Sequence, residues 1–222
     1  MGTDNLFHIN KARKAESHQR KKARRDPYER MLIVCEGKKT EPNYFKGLRK
    51  TFGLNPMNVV IADKKHGLDP MSLVEYAIDE YKKDPDYNHV YCVFDRDKHQ
   101  TYDAALHKIS VCRMKRGAKL HPITSIPCFE IWLLLHFAYT TRSFCAACDD
   151  SNADLVISEL KNYMPDYEKG AENIFIGDER LDTAINNAKL LEKFHMTSRT
   201  DNPSTKIYQL VEYLISYRSR KV

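Results

Sequence analysis

The chain lacks an apolar run of bilayer-spanning length. Its best candidate, residues 131–137, is short and carries His136. A spanning helix needs about 20 apolar residues, so this stretch reads as a buried core helix. No apolar leader segment stands near the start, so secretion is not expected and the cytoplasm is the expected compartment. The six cysteines do not signal a disulfide framework. Cys35 and Cys92 fall inside apolar runs and Cys128 opens another, positions that suit small buried side chains. Cys145 and Cys148 make a lone CxxC with no second pair at zinc spacing. No internal repeat is visible, which speaks against a repeat array.

What is present fits one large domain, or one domain with an appended part: 222 residues, 42% of them hydrophobic. The formal charge of +6 is unevenly placed. Residues 1–30 hold nine Lys and Arg against four Asp and Glu, which leaves about one net positive charge for the rest. Such an arm is an electrostatic footprint for a polyanion, and equally the composition of a solvated leader.

From residue 31 onward, strands and helices alternate. Strands are expected at 31–35, 59–62, 90–94 and 120–126, and helices at about 41–52, 70–83, 101–115 and 127–137. Thr40 is the expected cap of the first helix, and Pro70 opens the second. Alternation of this kind implies a parallel sheet with right-handed crossovers, whose ligands bind beyond the strand C-termini. After residue 138 the strands give out. Helices are expected near 152–164, 179–195 and 203–218, the last with Asn202 as cap and Pro203 at its first position.

Acids end two of the apolar strands. Val90-Tyr91-Cys92-Val93-Phe94 runs into Asp95-Arg96-Asp97, and Met31-Leu32-Ile33-Val34-Cys35 runs into Glu36. On extended chain, residues i and i+2 face the same way about 6–7 Å apart, so Asp95 and Asp97 are placed to share a cation. If the two strand ends meet, each carboxylate pair within ~5 Å costs about 3 kcal/mol at an effective dielectric near 20. A cation or a proton must offset that. Oxygen-only ligands favour Mg²⁺ or Mn²⁺, which polarise phosphodiesters. Glu130, in the first turns of an apolar helix that starts where the fourth strand ends, is a fourth candidate.

Lys39, with Lys38 beside Glu36 and Lys98 and His99 beyond Asp97, offers cations for a substrate phosphate. Each is also an ordinary turn residue. His136 does not share Glu130's helix face and is expected to be a hydrogen-bonded core histidine. Tyr208, Tyr213 and Tyr217, with Arg218, Arg220 and Lys221, suit either nucleic-acid stacking or core packing plus a solvated tail. The Asp-X-Asp also fits a phosphoaspartate phosphatase. That pattern sits on a first strand and continues to Thr or Val, whereas here it is on the third and continues Lys98-His99.

Glu36-Gly37 after the first strand and Asp95-Arg96-Asp97 after the third resemble the Toprim domain of topoisomerases, primases and overcoming-lysogenization-defect nucleases. More closely, three stretches resemble the RloB-like family: residues 33–45 (Ile33 to Phe45), residues 127–137 (Pro127 to Phe137), and Asn202-Pro203-Ser204-Thr205. The chain departs from that family at Lys38, where an acid is common. The resemblance implies a Toprim-like α/β domain at 31–138, preceded by the basic arm at 1–30 and followed by a helical region at 139–222 packed on it. It further implies a Mg²⁺- or Mn²⁺-dependent nuclease, cutting RNA such as tRNA or DNA, in bacterial anti-phage defence or abortive infection. A partner ATPase of the ABC or AAA type is implied too, and a homo-oligomer is possible. Glu36 would be general base or metal ligand, and Asp95 and Asp97 metal ligands. The alternative is a Toprim-like module that binds an ATPase or nucleic acid without cutting.

Overall fold

The computed structural model describes residues 29–62, 67–97, 99–146, 151–172, 174, 177–198 and 200–219. The basic arm up to residue 28 lies outside the described residues, as do Lys98, Cys148, Arg220 and Lys221.

Four strands follow the expected places: β1 (Met31–Cys35), β2 (Val59–Ile61), β3 (His89–Asp95) and β4 (Lys119–Ile126). A fifth, β5 (Ser204–Thr205), was not expected. They form one sheet in the order β2-β1-β3-β4-β5, parallel except for the antiparallel β4–β5 pair. Continuous apolar runs make β1 and β3 central strands, since a parallel sheet is covered on both faces.

The faces are built by different helices. Helix α1 (Thr40–Thr51) shares a core with Met31, Ile33, Tyr91 and Val93. The same core takes in the later helices α4 (Glu130–Leu134), α5 (Asn152–Leu160), α6 (Asp178–Ser198) and α7 (Ile207–Ser219). Helices α2 (Pro70–Lys83) and α3 (Tyr102–Val111) cover the opposite face, where Leu32, Val34, Val90, Cys92 and Phe94 point. Asp69 caps α2 by accepting from the N–H groups of Met71 and Ser72. Among the described residues, no helix is long and apolar enough to cross a membrane.

Four local expectations are corrected. Thr40 does not cap α1; its hydroxyl accepts the N–H of Gly170 instead. The apolar helix after β4 begins at Glu130 rather than at 127, and α3 stops at Val111. Asn202-Pro203 does not open the last helix. The Asn202 side chain accepts from Phe144 N–H and donates to Phe144 C=O, Ser204 and Thr205 pair with β4, and the helix starts at Ile207.

Candidate functional site

Chain order reverses between β1 and β3: from β1 the sheet extends one way to β2 and the other way to β3. The crevice beyond such a switch point is where open parallel sheets take ligands. Glu36 follows the end of β1 there, and Asp95 closes β3 beside it. A cavity of about 480 Å³ opens at this point, and its wall includes Glu36, Glu41, Asp69, Asp95, Asp97 and Glu130.

Each acid is held by identifiable groups. Glu36 accepts the Asp95 N–H at 2.9 Å through Oε2, and His99 Nε2 stands 2.9 Å from its Oε1. Asp95 Oδ2 accepts the N–H of Phe129 at 3.1 Å, just before α4. Glu130, 3% exposed, accepts from the Tyr167 hydroxyl at 3.0 Å. Lys169 Nζ lies 3.9 Å from the same Glu130 oxygen.

Sequence reasoning missed two of these side chains. Glu41 is buried in the first turn of α1 and accepts the N–H of Gly37 at 3.1 Å. A Cβ on residue 37 would stand 2.1 Å from a Glu41 carboxylate oxygen, so a larger residue here would require that carboxylate to move. The available signal was an acid one turn beyond an acid-ended strand, but a first-turn acid also simply complements the helix dipole. Lys169 had no signal, because it arrives on a loop from the C-terminal region. That loop docks on α1 through the Gly170 N–H on Thr40 and through the Asn43 amide on the carbonyls of Gly170 and Ala171.

The acids repel one another. Burial first, then the charges of Glu41, Glu36 and Glu130, push the Asp95 carboxyl well above the usual carboxylate range. Burial likewise raises Glu41, with Glu130 and Glu36 adding to the shift, against the backbone N–H bonds that lower it. The Cys128 thiol, also in the cavity wall, is driven up by burial and by Glu130 and Asp95, which leaves it inert. Burial alone would lower the Lys169 ammonium, but Glu130, Cys128, Asp154 and Asp95 together hold it above the ordinary lysine value.

The expected residues fall as follows. Glu36, Asp95, Asp97 and Glu130 all line the cavity. Asp97 does not sit as extended chain would place it: β3 ends at Asp95, and Asp97 is exposed in a turn with φ of 29°. Its charge is also absent from those that raise Asp95. Lys38 and Lys39 are exposed and outside the cavity wall, with the Lys39 stem lying along Gly170. Lys169 and His99 line the cavity instead. His136 is a core residue, its Nδ1 2.8 Å from the Trp132 carbonyl. The last-helix tyrosines pack internally: Tyr208 donates to Glu192, Tyr213 to Glu29, and Tyr217 to the Glu29 carbonyl.

The donor set suits a hard divalent cation, because several mutually repelling carboxylates from β1, α1, β3 and α4 share one cavity. Among the described residues, no three His, Cys, Asp or Glu side chains already stand as a ready ligand group. No curated protein and no solved structure matches the chain. A family model described as RloB-like protein matches residues 31–214, a span that takes in the acid-ended strands, the helix bearing Glu130 and the Asn202-Pro203-Ser204-Thr205 turn. The chain belongs to the RloB-like family.

Proposed function

We propose that this protein is a metal-dependent nuclease whose cavity beyond β1 and β3 cleaves nucleic-acid phosphodiester bonds. The observation that carries the reading is the gathering of Glu36, Glu41, Asp95 and Glu130 around one cavity, with Lys169 as a lysine in its wall. Glu41, Asp95 and Glu130, with Glu36 or Asp97, would hold Mg²⁺ or Mn²⁺, which would polarise the phosphodiester and lower the pKa of a bound water.

The remaining work falls to this chain's own side chains. Glu36 is fixed by the Asp95 N–H and by His99, so its carboxylate is oriented to take a proton from an attacking water. Lys169, anchored over the cavity by its loop, is placed to meet a phosphate oxygen as negative charge builds on it. Asp69 is occupied by the α2 cap and by the Thr101 hydroxyl, so it serves structure rather than chemistry. The family membership supports a setting in bacterial defence with an ATPase partner. The hydrogen bonds that already occupy Glu36, Glu41, Asp95 and Glu130 favour, as a second reading, a module that binds an ATPase or nucleic acid without cutting it.

The test is incubation of the purified protein with mixed tRNA, mRNA and plasmid, in Mn²⁺ and in EDTA, beside Asp95→Asn and Glu36→Gln. Cleavage seen with Mn²⁺ alone and lost in both folded variants is the expected result. Cleavage that survives in both variants overturns the assignment. Beryllofluoride trapped on Asp95 would instead identify a phosphatase.

A further inference from the structure

Among the described residues, the end of the sheet away from the acid cavity has an open edge. Strand β5 pairs only with Ser125 and Ile126, and after Lys206 donates to the Thr124 carbonyl the chain turns into α7. No strand among the described residues pairs with β4 on that side from Lys119 to Ile123. Backbone polarity alternates along a strand, so the groups that share the Thr124 side are the N–H and C=O of Leu120 and the C=O of Pro122. The opposite side is occupied: Lys119 donates to Asn88, and Ser125 accepts from Arg96. Pro122 lacks an N–H, which places a proline where an edge strand tolerates one.

A groove of about 470 Å³ runs along this edge, between β4 and the last turns of α3, with Leu106, Ile109, Met114, Leu120 and Pro122 as its apolar lining. Its charge has one sign. No Asp or Glu occurs from residue 104 to residue 129, while Lys108, Arg113, Lys115, Arg116 and Lys119 do, all exposed. Arg116 is paired with Asp86 at 2.6 Å. Arg113 and Lys119 line the groove itself.

We propose that this edge is a docking site for an extended, acidic segment of a partner protein, which adds to the sheet as a strand beside β4. The main-chain groups of Leu120 and Pro122, which have no strand partner among the described residues, recognise a polypeptide backbone. The apolar groove takes alternate side chains of the added strand, since successive residues point to opposite faces. The cations meet its acids. A nucleic acid would use the cations but has no match for the strand edge.

The test uses a short synthetic peptide alternating Glu and Val, an oligoglutamate of equal charge, and a single-stranded RNA, each followed by fluorescence anisotropy. The expected result is that the alternating peptide binds at least ~10-fold more tightly than oligoglutamate and is not displaced by the RNA. It should also slow amide exchange at Leu120 in the intact protein. Leu120→Pro, which removes an edge N–H as Pro122 already does, should weaken the peptide by about 10-fold without changing the circular dichroism. If that variant does not fold, exchange at Leu120 in the wild type decides. Displacement of the peptide by RNA, oligoglutamate binding as tightly as the peptide, no peptide binding, or unchanged exchange at Leu120 would each overturn the proposal.

Discussion

Gly37 leaves the space that the Glu41 carboxylate fills, and that pairing fixes what the residue scale contributes. Gly37→Ala should expel Glu41 from the cavity and weaken Mn²⁺ affinity by about 10-fold, a change read by calorimetry. Unchanged affinity would mean that Glu41 is not a ligand. Asp95 carries the heaviest repulsion, so its loss should help the fold even as it harms chemistry. Its carboxyl is raised, and the folded state therefore binds more protons than the unfolded state just above the carboxylate range. Stability then falls as pH rises from the ordinary carboxylate value through the raised one. Asp95→Asn keeps an oxygen for the Phe129 N–H and should raise the metal-free melting temperature at neutral pH by about 3–6 °C, on the order of 1–2 kcal/mol. A lower melting temperature would contradict the repulsion. Glu36 and Asp95 were legible in the sequence because acids are abrupt interruptions of buried apolar strands. Glu41 was not, because a first-turn acid has an ordinary reason to be there. Lys169 was not, because its position depends on a loop docked from far along the chain.

At the scale of elements, continuous apolar runs placed β1 to β4 and helical spacing placed their crossover helices, and with them the switch point that locates the cavity. The miss was β5. A two-residue strand is too short to show a period, and Asn-Pro before a polar pair is the usual mark of a helix start. The structure uses Asn202 otherwise: 8% exposed, it completes the hydrogen bonds of the Phe144 backbone as a neighbouring strand would. The adjoining Ser125 and Thr205 hydroxyls meet at 3.0 Å. Asn202→Ala strands a buried N–H and C=O, which should cost about 2–3 kcal/mol and lower the melting temperature by about 5–10 °C. A thermal melt unchanged from wild type would show that this turn is not what closes the sheet.

The whole molecule has opposite polar ends on one sheet. Beyond the strand C-termini, acids repel one another around the cavity. Toward the strand N-termini, His89 and His121 stand 2.9 Å apart between Tyr91 and Tyr213, with Glu29 and Lys119 as the charged neighbours. Burial first, then His89 and Lys119, lower His121 to about 4. A histidine lowered in the fold binds fewer protons there than when unfolded, so its stabilising effect is complete above about pH 6.5 and is lost as pH falls toward the folded value. His121→Gln should therefore flatten the acid side of a melting-temperature profile; a profile as steep as the wild type's would exclude this pair as its source. The acid end decides the proposed function, because a cavity of repelling carboxylates has a use if a cation joins them. Titration of Mn²⁺ into the metal-free protein by calorimetry, beside Asp95→Asn, addresses this directly. The account predicts sub-millimolar binding with proton release from the raised carboxyls, and loss of that binding in the variant. Binding that is absent into the millimolar range, or that is the same in both proteins, would contradict it.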